Sequence, residues 1–243
     1  MKQGILIALL VVACLFSFKL LAIVGFPVWI FVLLLPPVAY GQIYALNRYT
    51  FRKSLDFEAI PAKDFPDRLT QLDENSRKFS QLGFVKFDEF LLRTSTNVVA
   101  YIYQHQTEPI YLCNYHFGQF EFSDLVTSFE DDFTLTTADT KKAGNVPRPN
   151  ENMLQIFDGR PIDELLSHHL QAIQFLQTQG FSPKQLFPES FRTVFLKSYF
   201  EVGKKVTSLA SPAKLVYWMA SGVNKKYCKT VQQQYLAKQL LLR

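Results

Sequence analysis

The sequence predicts an α+β fold with a membrane-embedded N-terminus, and three features predict it. The first is a block from Ile5 to Leu46 that carries a single charge, Lys19. The second is a series of short runs between Phe84 and Phe157, rich in aromatic and β-branched residues and separated by turn-forming residues. The third is helical periodicity on both sides of that series, from Phe65 to Leu82 and from Ile162 to Gln179. Together they describe an N-terminal transmembrane helical hairpin, then an antiparallel β-meander domain flanked by helices, then a basic helical C-terminal tail. The expected organisation is an anchor over 1–46, an interfacial linker over 47–63, an α+β domain over 64–180 and a helical appendage over 181–243.

The apolar block is long enough to cross a bilayer twice. A hydrocarbon core of about 30 Å needs roughly 20 helical residues. Ile5 to Val24 supplies one such span and Val28 to Leu46 a second, with Gly25-Phe26-Pro27 as the break between them. Lys2 precedes the block and Arg48, Arg52 and Lys53 follow it, while the break is uncharged. The positive-inside tendency then puts both ends, and the domain that follows, in the cytoplasm of an inner-membrane protein. Val11-Val12-Ala13-Cys14 resembles a lipoprotein cleavage box, but the chain stays apolar for about thirty residues beyond it, so an uncleaved anchor is expected.

After the anchor, Phe65–Leu82 has one apolar face and stops at Gly83. Strands are expected at Phe84–Arg93, Val98–His105, Ile110–His116, Phe120–Phe129 and Phe133–Thr137, joined by connections short enough to require antiparallel neighbours. Val98–His105 is apolar on both faces, which marks a central strand covered twice. Thr140–Asn150 reads as a loop, Met153–Phe157 as a sixth strand closed by Asp158-Gly159, and Ile162–Gln179 as an amphipathic helix lying on the sheet. Phe191–Leu209 and a segment opened by Ser211-Pro212 read as helices of the tail.

Composition excludes disorder: 48% of the 243 residues are hydrophobic and 15% are aromatic, including 23 Phe and 11 Tyr. Three scattered cysteines form no disulfide framework. The net charge of +5 is segregated along the chain. Residues 84–180 hold six basic and thirteen acidic side chains, whereas residues 181–243 hold eleven basic and two acidic. A tethered basic tail suits the anionic cytoplasmic leaflet, with Arg48, Arg52, Lys53, Trp218, Lys225 and Lys226 as the expected membrane-surface contacts. The expected partners are therefore the bilayer, its anionic headgroups and an unidentified protein. Nucleic acid is not expected, because no recognition motif accompanies the lysines.

The chemistry-bearing motifs are sparse. There is no phosphate loop, no dinucleotide fingerprint, no Gly-x-Ser-x-Gly elbow and no calcium loop. His168-His169 are adjacent and diverge by about 100° on a helix, so they do not share a metal; His105 and His116 stand on consecutive strands and could meet across a hairpin. No metal, cofactor or catalytic residue is assigned. The leading expectation is a binding or scaffolding module held at the membrane. Its candidate ligand pocket is a concave sheet face lined by Tyr101, Tyr103, His105 and Tyr115. The alternative is a membrane-tethered enzyme, such as a hydrolase, with its site between the sheet and the 162–179 helix.

Overall fold

The computed structural model describes residues 57–60, 66–92, 98–117, 120–144, 148, 151–206 and 220–240, with scattered positions at 37–45 and 213–218. The chain divides into two units, Met1–Leu46 and Asn47–Arg243. Among the described residues no helix is long and apolar enough to cross a membrane. The predicted hairpin falls almost wholly outside them, and so do Arg48, Arg52 and Lys53.

The second unit is an α+β fold built on one mostly antiparallel sheet. Its strands are β1 (Phe57–Glu58), β2 (Phe84–Leu92), β3 (Val98–His105), β4 (Tyr111–Phe117), β5 (Phe120–Phe129), β6 (Thr134–Ala138), β7 (Asn152–Ile156) and β8 (Pro183–Lys184). They lie in sequence order from β1 to β7, and β8 pairs with β5. Every neighbouring pair from β1 to β6 is antiparallel, as short turns require. The meander ends there, because β7 joins β6 in parallel. Thirteen residues lie between these two strands in sequence, a connection of the length that a parallel pair needs and a hairpin does not.

Among the described residues the unit's helices include α1 (Pro66–Gln81), α2 (Ile162–Thr178), α3 (Pro188–Val206) and α4 (Val231–Leu236). Gly83 ends α1 at φ +83°, and a Cβ there would stand 3.1 Å from His105 Nε2, so conformation and space both favour glycine. On one sheet face, α1 and α2 cover Val99, Tyr101, Tyr103, Leu112, Leu125 and Leu135, with Phe79 of α1 and Leu165, Ile173 and Leu176 of α2 buried against them. On the other, Phe191, Val194 and Phe195 of α3 lie over Phe90, Ala100, Ile102, Tyr111, Cys113 and Tyr115. Val99 to Tyr103 is buried throughout, so β3 is the doubly covered strand its composition predicts.

A bulge in β2 lets that strand serve both cores. Lys86 pairs with Tyr103 but Asp88 pairs with Ile102, leaving Phe87 extra. Phe84 therefore faces the α2 side, whereas Phe90, also even-numbered, faces α3. Asp88 emerges on the α3 side and accepts two charge-assisted hydrogen bonds from Arg192, at 2.6 and 2.7 Å.

Within residues 181–243, α3 and α4 pack on the sheet. Without α3, the second sheet face would expose its apolar row to water. The lead into α3 is pinned by buried Tyr111, whose hydroxyl donates to the Leu186 carbonyl at 3.0 Å and accepts from the Leu186 N–H at 2.6 Å. At the β7 edge, Thr230 and Gln233 form a capping box that starts α4. Val231 N–H donates to Gln155 Oε1, and Gln234 Nε2 donates to the Leu154 carbonyl.

Candidate functional site

Alternation along β5 builds the site. Phe122, Asp124 and Val126 project in one row towards α3, while Leu125 and Thr127 project towards α2. Register sets Asp124 between Cys113 of β4 and Ala138 of β6, and sets Tyr115 beside Phe122. On β6 the same face carries Thr134 and Thr136, which are short side chains. Above them α3 offers Phe191, Val194, Phe195, Ser198 and Tyr199, at helical spacings that share a face. Small residues below and rings around leave a cavity of about 450 Å³, with Ala143 and Arg148 also in its wall. That volume lies within the range of small-ligand pockets, and most of the wall is apolar, as in such pockets.

The polar groups in this wall are unusual for their depth. Asp124 is 8% exposed, and its Oδ1 is buried without a hydrogen-bond partner. Burial pushes its carboxyl up to about 7, Arg148 pulls it partly back, and Asp139 adds to the rise. Asp139 follows β6 directly and accepts from the Ser123 N–H at 2.8 Å through Oδ2, while its Oδ1 is also buried and unpartnered. Burial, offset by the Ser123 hydrogen bond and reinforced by Glu121, takes the Asp139 carboxyl up to about 6. Burial also raises the Cys113 thiol and, well above its ordinary range, the Tyr115 hydroxyl. Cys113 is therefore held as a thiol, the unreactive form.

The four residues expected to line a single pocket are divided by the sheet. Tyr101 and Tyr103 lie within the core beneath α1 and α2, where Ser76 of α1 meets the Tyr103 hydroxyl at 3.0 Å. His105 sits at the end of β3 on that side, with Nδ1 accepting from the Glu108 N–H at 3.2 Å to close the turn. Tyr115 is on the opposite face and is the one of the four in the cavity wall, stacked on Phe122 with centroids 4.9 Å apart.

The histidines are likewise placed by register. His116 pairs with Val99, six residues along β3 from His105, so about 20 Å of strand separates two side chains expected to meet across a hairpin. His116 hydrogen-bonds Asn114 and packs edge-on against Tyr101. His168 stacks on Phe157 at 3.9 Å. His169 is fully buried between Thr127 and Thr137. Gln155 Nε2 donates to Thr137 Oγ1, and Thr127 Oγ1 donates to the Pro109 carbonyl. Thr137 must then donate to His169 Nδ1, and Nε2–H to Thr127 Oγ1, so every group is satisfied by one neutral tautomer. Burial lowers His169 to about 3, which agrees. The interface between the sheet and α2 is thus filled by Leu165, Ile173 and Leu176 and by this closed network. Among the described residues no three His, Cys, Asp or Glu side chains gather in a metal-holding group.

Of the expected membrane-surface residues, Trp218 is half-buried and donates from Nε1 to the Gly144 carbonyl at 3.0 Å. Lys226 lies over the Trp218 and Tyr227 rings, at 5.6 and 5.0 Å from their centroids, and Lys225 is exposed. Arg148, Lys226 and Lys238 also line a second cleft of about 180 Å³ with Asn152, Tyr227 and Gln239.

Asp124, Arg148, Phe195 and Ser198 were not among the expected site residues. One signal was readable: Asp124 interrupts an apolar strand row between Phe122 and Val126. No family model, curated protein or solved structure matches the chain.

Proposed function

We propose that this protein is a membrane-anchored binding module whose cytoplasmic α+β domain holds a small, largely apolar ligand between α3 and the sheet. The observation that carries the reading is the roughly 450 Å³ cavity, walled by Phe122, Val126, Phe191, Val194 and Phe195 together with the buried carboxyl of Asp124. Apolar walls of this kind gain dispersion contact with a ligand that fills the space, and the carboxyl gains a hydrogen-bond donor.

The anchor is the 5–46 hairpin with both ends cytoplasmic, supported by its length, its Gly25-Phe26-Pro27 break and its basic flanks. The basic C-terminal region meets the anionic leaflet, and the cleft of Arg148, Lys226 and Lys238 suits headgroup phosphates.

The binding claim is tested with the full chain in lipid nanodiscs, using 4-phenylbutan-1-ol as a neutral probe and empty nanodiscs as the reference for partitioning. Saturable binding that Val194→Trp abolishes is expected; absence of saturable binding, or binding indifferent to that substitution, overturns it. The leaflet contact is tested by vesicle co-sedimentation of the released 47–243 fragment, provided that its circular dichroism shows it folded. Binding to anionic vesicles that weakens with salt supports the contact, and no binding at low salt refutes it.

A further inference from the structure

We propose that the ligand carries a protonated nitrogen on an apolar body, and that the Asp124 carboxylate in the cavity wall receives that nitrogen. This rests on the cavity being a binding site and specifies what binds there.

The two halves of the ligand follow from the two kinds of wall. Phe122, Phe191, Phe195, Val126 and Val194 offer contact to an apolar or aromatic body and no hydrogen bonds. Asp124 brings to the same wall a carboxyl that is more than nine-tenths buried. A ligand N–H is a donor for it. If the nitrogen is charged, the bond is charge-assisted and about twice as strong as a neutral one. It also compensates the carboxylate that burial otherwise disfavours.

The surroundings select the sign of the charge. Asp139 follows immediately on β6, outside the cavity wall but near enough to raise the Asp124 carboxyl, so negative charge at Asp124 is disfavoured by a second carboxyl behind it. Arg148 is the opposing charge, with Nη1 turned to Thr136 Oγ1 at 3.5 Å. The other titratable groups facing Asp124 are Cys113 and Tyr115 on β4 and Tyr199 on α3, all of them shifted by burial towards their neutral forms. A neutral hydroxyl ligand could bond the Asp124 carboxyl but would add no positive charge beside it.

The proton balance adds a second signature. An ammonium ligand binds ionised Asp124, and when it meets the protonated form one proton leaves to solvent. Affinity then rises with pH, by up to about tenfold per unit, below the Asp124 titration near 7. It levels off above that point while the amine stays protonated.

The experiment compares 4-phenylbutylamine, 4-phenylbutan-1-ol and 4-phenylbutyrate on the full chain in nanodiscs at pH 8, where an alkylamine is still charged. The amine is expected to bind at least tenfold more tightly than the alcohol, and the carboxylate more weakly than either. Asp124→Asn should remove the amine's advantage, so that amine and alcohol bind to within a few-fold of each other. In the unmodified protein, lowering the pH from 8 to 6 should weaken the amine alone. An amine no tighter than the alcohol, a preference that survives Asp124→Asn, or an amine affinity indifferent to pH overturns the inference and leaves the cavity standing. If the alcohol itself fails to bind, or binds equally well after Val194→Trp, the cavity reading falls and takes this inference with it.

Discussion

Replacing Asp124 with Asn should stabilise the protein at pH 8 and leave it nearly unchanged at pH 4. The folded carboxyl titrates at about 7 against an ordinary 3.8, chiefly because it is buried. A raised carboxyl means that the native state holds its proton more tightly than the unfolded chain does. The stability this provides is fully present below about 3.8 and is lost as pH rises through about 7. The difference of roughly 3 units, at 1.36 kcal/mol each, puts the cost of ionising Asp124 near 4 kcal/mol at pH 8 as a ceiling. Asn has nearly the same shape and never ionises, so it escapes that cost. The assay is urea unfolding of the full chain in detergent micelles, followed by near-ultraviolet circular dichroism from pH 4 to pH 8. A gain of about 2–3 kcal/mol at pH 8 that vanishes by pH 4 is expected. A difference that does not vary with pH, or a less stable variant at pH 8, would refute the claim that a buried, ionisable carboxyl lies in that wall.

Further outcomes follow from the same structure. His169 is lowered to about 3 from 6.5, so its contribution is present above about 6.5 and lost as pH falls towards 3. Nitrogen-15 NMR should show it neutral at pH 5 with the proton on Nε2, and a charged imidazole at that pH would contradict the network. Tyr111→Phe removes both hydrogen bonds to Leu186 and should cost roughly 2 kcal/mol in the same unfolding assay, whereas a neutral result would mean that the lead into α3 is held elsewhere. Gly83→Ala meets both a φ of +83° and the His105 ring and should cost about 1–2 kcal/mol. Asp88→Asn weakens the tie between β2 and α3, and faster amide exchange confined to α3 is the expected readout.

The strands were legible because each is a run of aromatic and β-branched residues bounded by turns, and connections as short as residues 118–119 leave only antiparallel pairing. The direction of β7 was not legible. Thr140–Asn150 has the composition of a loop, and composition does not say whether a loop turns the chain or carries it back. Neither β1 nor β8 was foreseen, since two residues have no period. The apolar double face of β3 announced that a second layer must exist. It could not announce that α3 supplies that layer, because an amphipathic helix fits either face of a sheet. For the same reason the pocket was sought beside Tyr101 and Tyr103, on the face that proves to be solid core. Asp124 was the visible clue to the other face, and its meaning depends on register: only the pairing with Cys113 and Ala138 turns a polar strand residue into a buried one.

The account stands most directly on whether the space beneath α3 takes up a ligand. Valine methyl NMR of the full chain in nanodiscs, titrated with 4-phenylbutan-1-ol, reads this residue by residue. Val126 and Val194 line the cavity, whereas Val99 lies in the core on the opposite face. The account predicts saturable shifts of the Val126 and Val194 methyls with Val99 unmoved. Shifts spread equally over all three, or none at the first two, would contradict it.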